Sequence, residues 1–127
     1  MEPLKKGELE IMELFWREGQ ALTHADICEQ LKDASRNTIY LHLNHLLKKG
    51  MIQTGPSVRR GRTYGRTFTA AVSKEEYLAM QVIDEAQADN QTLQNVFAYF
   101  LRSDHITTET LDELEKRIQQ RKKELDS

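Results

Sequence analysis

From Ala34 to Lys74 the chain carries eight cationic side chains, Arg36, Lys48, Lys49, Arg59, Arg60, Arg62, Arg66 and Lys74, and not one aspartate or glutamate. Cations at this density, with no carboxylate to neutralise them, attract a polyanion such as the phosphate backbone of nucleic acid. The rest of the molecule is acidic. The formal net charge of −2 conceals 11 Lys/Arg against 8 Asp/Glu in residues 1–72, a net of +3, and 7 against 12 in residues 73–127, a net of −5. A pI near 6.1 speaks against nucleic acid, so the case rests on how the charge is distributed.

Other residue types could do other chemistry. His24 and Cys28 are four apart, and His42 and His45 three apart, spacings that put each pair on one side of a helix and could hold a transition metal. No Cys-x-x-Cys, clustered carboxylate or orienting partner accompanies them, so no metal is assigned. His42 is expected at the edge of the core, His45 beside the nucleic-acid face, and Cys28 as a small buried apolar group. There is no nucleophile motif, no glycine-rich phosphate loop and no carboxylate pair away from solvated helix faces. The chain reads as a non-enzyme that needs no cofactor.

The elements that must position the cations follow from periodicity and punctuation. A first helix is predicted over about Gly7 to Arg17, with Leu9, Ile11, Met12, Phe15 and Trp16 as its apolar face. Thr23 with Asp26 reads as a capping box for a short helix to about Lys32. Ser35 caps the next helix, in which Ile39, Leu43 and Leu46 recur at i, i+4 and i+7, and Gly50 suits the left-handed position after it. Two helices joined by about three residues make a helix-turn-helix. Met51–Thr54 and Thr63–Ala70 read as strands, and the segment from Gly55 to Arg62 as the turn of a hairpin between them.

All six glycines and both prolines lie before residue 66, so the remainder is expected to be nearly all helix. Ser73 with Glu76 caps a helix to about Ala88. Leu93, Val96, Phe97, Phe100 and Leu101 mark a second helix. Thr107 or Thr108 caps a third, carrying Leu111, Leu114, Ile118 and Leu125. The fold class is mainly α, a winged helix-turn-helix of three helices plus a small β-hairpin wing, followed by a three-helix C-terminal dimerisation region. The domains are expected at 1–72, binding DNA, and 73–127. Three thin helices cannot cover Phe97, Tyr99, Phe100 and Leu101 alone, so a second copy of the chain is expected to complete that core.

With Ile39, Leu43 and Leu46 turned inward, Asn37, Leu41, Asn44 and Lys48 point outward, flanked by Tyr40 and His45. Asn suits an adenine edge, and Leu41 a thymine methyl. Arg36 and Asn37 sit at the end that enters a groove deepest, and the Thr38 hydroxyl could meet phosphate. Arg59, Arg60, Arg62 and Arg66 fall on the hairpin, where alternation turns some toward phosphate or the minor groove.

Taken together these segments resemble the penicillinase-repressor family of winged-helix regulators (BlaI/MecI type). The resemblance is carried by Gly7 to Trp16, with its Glu-x-x-Ile-Met-x-x-x-Trp character. It continues in Thr38-Ile39 and Leu46-Leu47-Lys48-Lys49-Gly50, in Phe68 to Tyr77, and in the helical tail from Leu93 to Leu125. It implies a homodimeric repressor on inverted operator half-sites, held together by its C-terminal helices through Leu93, Val96, Phe97, Phe100, Leu101, Leu111, Leu114 and Ile118. It also implies a membrane sensor-protease for β-lactams as a partner, acting through cleavage in the C-terminal region. The matching bond is Tyr99–Phe100, where family examples carry Asn before Phe. Copper-responsive relatives use Cys-x-Cys motifs near the C-terminus, and this chain has no cysteine after Cys28. Two other readings of the same residues stand beside this one: a winged helix used only as a protein-interaction scaffold, and a metal-responsive repressor.

No apolar run approaches the roughly 18–20 residues of a membrane span. The stretch after Lys5-Lys6 is broken by Glu8, Glu10 and Glu13, unlike a signal peptide. A single cysteine suits a reducing compartment, and the expected location is cytoplasmic.

Overall fold

A computed structural model describes residues 2–127, apart from the side chain of Arg60. The elements run α1 (Lys6–Glu18), β1 (Leu22–Thr23), α2 (His24–Gln30), α3 (Arg36–Lys48), β2 (Ile52–Arg60), β3 (Thr63–Ala70), α4 (Lys74–Glu85), α5 (Asn90–Leu101) and α6 (Thr108–Asp126). They fall into two compact units, Met1–Gln81 and Val82–Ser127.

The first unit is a winged helix-turn-helix. Its caps are those the residue types dictate. Thr23 and Asp26 close a reciprocal capping box at α2, and the Ser35 hydroxyl accepts from the Thr38 amide at α3, each satisfying an otherwise orphaned donor. Gly19 and Gly50 adopt the left-handed conformation just past α1 and α3, which glycine tolerates without a Cβ clash. The core is Ile11, Met12, Leu14 and Phe15 from α1, Leu22 and Ile27, the α3 row Ile39, Leu43 and Leu46, and Met51 and Ile52. Burying such side chains stabilises the unit by about 1.5–3 kcal/mol each.

The sheet is antiparallel in the order β1-β3-β2. β1, which no residue pattern announces, pairs Leu22 with Phe68 and Thr23 with Thr67. Two residues are too short for an alternation signal, and their pairing is purely tertiary. The wing is also longer than expected. β2 continues through Gly55 and Pro56, where the register shifts between Thr54 and Ser57, and only Gly61 and Arg62 turn the chain. A bulge is where a strand accepts proline. Thr67, buried opposite, donates its hydroxyl to the Pro56 carbonyl at 2.8 Å. A Cβ on Gly55 would stand 2.6 Å from that hydroxyl oxygen.

The first unit extends past Val72 into α4, beyond the boundary expected at 72, because the start of α4 is packed on α1. Tyr77 is buried against the core, its ring 5.9 Å from Trp16, and its hydroxyl accepts from the Leu4 amide. The Trp16 indole donates to the Val72 carbonyl at 2.9 Å. α4 ends at Glu85 rather than near Ala88, because Gln87 and Ala88 both take positive φ. Neither is glycine, so nothing in the residue types announces the break. In the second unit Asp89 and Thr107 cap α5 and α6 through the amides of Thr92 and Thr110, and no residue of either helix is buried.

One acid that the sequence pattern places among solvated residues is not solvated. Glu8 of α1 is fully buried, accepting from Lys49 Nζ at 2.7 Å and from the Lys5 amide at 2.9 Å through the same oxygen. Burial pushes its carboxyl pKa up. The hydrogen bonds from Lys49 and Lys5, with the charges of Lys49 and His45, outweigh burial and hold it below the ordinary carboxylate value. A depressed folded pKa gives stability that is present above the unfolded pKa and lost as pH falls through the folded one.

Glu8→Gln should therefore cost about 1–3 kcal/mol at pH 7, less than a fully buried pair because Lys49 keeps some exposure. The gap to the native protein should close as pH drops below about 4. Urea denaturation of both proteins in EDTA-containing buffer at pH 7 and pH 3.5 measures it. Equal stabilities at pH 7 would remove the pair from any stabilising role.

Candidate nucleic-acid interface

The core fixes the rotation of α3, and at about 100° per residue its remaining side chains divide into three groups. Opposite the core, Asn37, Leu41 and Lys48 are exposed, with Leu41 at 49%. An apolar side chain this bare suits a thymine methyl, and the amide and the cation beside it suit a base edge and a phosphate. Toward the wing, Arg36, Tyr40 and Asn44 line a groove of about 470 Å³ with Thr63, Tyr64 and Arg66 of β3. Helix and wing thus share one cleft, which the sequence could not place.

Tyr40 is positioned from α2, its ring edge-on to His24 at 5.9 Å, while His24 Nε2 meets the Arg36 carbonyl at 2.9 Å. The Thr38 hydroxyl is exposed at the helix N-terminus and accepts from Ser35 Oγ at 2.8 Å, leaving its own proton to donate. The third group faces α1. His45, expected beside the nucleic-acid face, lies with Nδ1 3.6 Å from Glu8 Oε2, its side chain 46% exposed. His42 packs against Gly7, where a Cβ would run into its Nε2.

The cations sort in the same way. Lys49 is engaged by Glu8 and Lys74 by Glu13 at 3.2 Å. Arg59 donates to the Gly61 carbonyl at 2.9 Å and lies 6.0 Å from the Tyr64 ring, folded onto the wing tip. Arg36, Lys48, Arg62 and Arg66 are exposed and meet no carboxylate among the described residues. The Arg60 side chain lies outside them. Some of the cationic run is therefore used to hold the unit together. The part left open sits on α3 and the wing.

A winged helix-turn-helix whose outward helix face and hairpin are cationic and free of carboxylate defines a DNA-binding transcriptional regulator. The penicillinase repressor family matches the chain over residues 4–120. The chain belongs to that family, and is a DNA-binding repressor and not an enzyme. No curated protein matches the sequence.

Solved structures of bacterial regulators are similar at a lower level. The adhesin competence repressor AdcR of Streptococcus pyogenes is 19% identical, over 98% of this chain and 82% of that one, with a TM-score of 0.44. PadR of Bacillus subtilis, in complex with operator DNA, is 16% identical over 84% and 52%, at 0.46. A mutant MepR from a multidrug resistant S. aureus clinical isolate is 12% identical over 98% and 80%, at 0.47. Likeness this distant says nothing of operator or ligand. Among the described residues no helix is long and apolar enough to cross a membrane.

The geometry separates two kinds of variant. Arg62→Glu should weaken binding to every duplex alike, while Asn44→Ala should change the preference among sequences by about 1–3 kcal/mol and spare binding to random duplex. Binding measured on a library of duplexes distinguishes them. A uniform loss for Asn44→Ala would take that residue off the base-reading surface.

Proposed function

We propose that the protein acts as a homodimer on inverted-repeat operators. Each first unit sets Asn37, Leu41 and Asn44 against base edges and Arg36, Thr38, Lys48, Arg62 and Arg66 against phosphate, and the second units hold the pair together. The observation that carries the dimer is the second unit's lack of any buried residue in α5 or α6. Leu93, Val96, Leu111 and Leu114 are only half-buried, while Phe97, Phe100, Leu101 and Ile118 stand 48–60% exposed. An apolar face of this kind on two thin helices is stable in water only when covered, and a second copy offers the same face. Two linked winged units then bind two half-sites with the gain of an intramolecular second contact.

The same arrangement supports control by proteolysis. The Tyr99–Phe100 bond falls in the last turn of α5, the turn most easily frayed, and both side chains are exposed. A protease needs an extended substrate, which a fraying helix end supplies at low cost. Cutting there would detach α6 and with it Leu111, Leu114 and Ile118, a large part of the apolar face. The dimer would weaken and release the operator. A membrane sensor-protease acting on a cytoplasmic repressor is the partner this reading implies. Tyr99 stands where family examples carry Asn, so the partner would have to accept an aromatic side chain before the cut.

Four open cations per chain, paired in a dimer, give about eight phosphate contacts. Affinity for duplex should then fall by about 10³–10⁵ between 50 and 200 mM salt. Sedimentation of the full chain should show a dimer, which Phe97→Asp with Phe100→Asp converts to monomer with loss of tight duplex binding. A native protein that sediments as a single subunit and fails to shift duplex DNA at 50 mM salt would defeat the proposal.

A further inference from the structure

We propose that Glu8, His42 and His45 form a zinc-binding site that ties α3 to α1. Each of the three offers a ligand atom within 4.8 Å of the other two. Two polar atoms at this place are buried without a hydrogen-bond partner, Glu8 Oε2 and His42 Nδ1. Buried polar atoms are nearly always paired, and two orphans in one three-residue cluster ask for an explanation. A carboxylate oxygen and two imidazole nitrogens within 4.8 Å of one another are donors that a single cation could satisfy together.

The set is also chemically selective. Two imidazoles and one carboxylate, with water as the fourth ligand, suit zinc in a tetrahedral site. Hard cations such as Mg²⁺ and Ca²⁺ prefer oxygen donors throughout. Bonds of about 2.0–2.2 Å place tetrahedral ligands about 3.3–3.6 Å apart, and His45 Nδ1 already stands 3.6 Å from Glu8 Oε2. Binding would draw all three ligand atoms together from their present spacing of up to 4.8 Å, with the half-exposed His45 ring the freest of them to move.

The surrounding groups orient the ligands. Lys49 and the Lys5 amide occupy Oε1 of Glu8 and so leave Oε2 turned to the site, the supporting role that outer partners play around metal centres. Gly7 leaves the space that the His42 ring fills. Cys28 Sγ lies 3.5 Å from His24 Nε2, which also meets the Arg36 carbonyl, and no third ligand joins them among the described residues. Two ligands on α3 and one on α1 make the bound ion a crosslink between the helices. This inference stands whatever the outer faces of α3 contact.

The test titrates zinc chloride into chelator-stripped, full-length protein against a chromophoric zinc indicator. One equivalent per chain is expected, with a melting temperature that rises as free zinc is raised. His45→Ala changes a half-exposed residue and should fold, as circular dichroism checks, yet bind zinc at least about tenfold more weakly. His24→Ala and Cys28→Ser should bind zinc as tightly as the native protein does, and magnesium chloride should not compete. Stripped native protein that takes up no zinc, or folded His45→Ala protein that binds it as tightly as the native chain, overturns the site. So does zinc binding that is lost with His24 or Cys28.

Discussion

The rotation of α3 is the constraint on which the remaining geometry depends. Ile39, Leu43 and Leu46 are each almost wholly buried, and turning the helix by one residue position would replace them with Tyr40, Asn44 and Leu47. Exchanging that row would bring an amide and a phenol into an apolar core without partners, at a cost of several kcal/mol. The helix therefore has one orientation, and the three groups around it are set by arithmetic. Asn37, Leu41 and Lys48 face away from the core, Arg36, Tyr40 and Asn44 face the wing, and His42, His45 and Lys49 face α1. No separate device is needed to aim the candidate contact residues.

Much of this is legible in the chain because it depends on local chemistry. Thr23, Ser35 and Ser73 cap helices by bonding an amide three residues on, and that pattern is visible in a string of letters. The α3 core row is a 3.6-residue period interrupted by nothing. The features that are not legible are those whose causes lie far away in sequence. β1 exists only because Leu22 and Thr23 find Phe68 and Thr67. The wing strand runs through Pro56 because the Thr67 hydroxyl donates to the Pro56 carbonyl at the bulge. Glu8 reads as one acid among several on α1 until Lys49, forty-one positions away, is folded onto it. The left-handed pair Gln87 and Ala88 carries no residue signal at all.

The cationic stretch shows the same division. Read as a string, all eight charges look equivalent. Folded, Lys49 and Lys74 complete ion pairs with Glu8 and Glu13 of α1, and Arg59 bends back on the wing tip. What distinguishes Arg36, Lys48, Arg62 and Arg66 is the absence of carboxylate partners among the described residues. An exposed cation already paired with a surface carboxylate gains little from phosphate, since one weak pair is exchanged for another. An unpaired one releases a condensed counterion from the duplex when it binds. The lack of acids between Asp33 and Glu75 thus matters more than the number of bases. It keeps the open cations free to exchange water for phosphate.

The two units also divide the physical work in a way their compositions make necessary. The first unit has a closed core and can spare its surface for charge. The second has apolar side chains but no interior, because two helices of 12 and 19 residues enclose no volume between them. Its apolar content is concentrated in α5, where Phe97 and Phe100 meet edge to face at 6.2 Å and still leave half of each ring in water. In the proposed homodimer the pairing surface would be the exposed apolar face of the second unit. A dimer built on the closed core of the first unit could be broken only by unfolding the DNA-binding surface, whereas one built on the second unit's exposed helices could be lost while the winged unit stays folded. Stability and release would then depend on different residues.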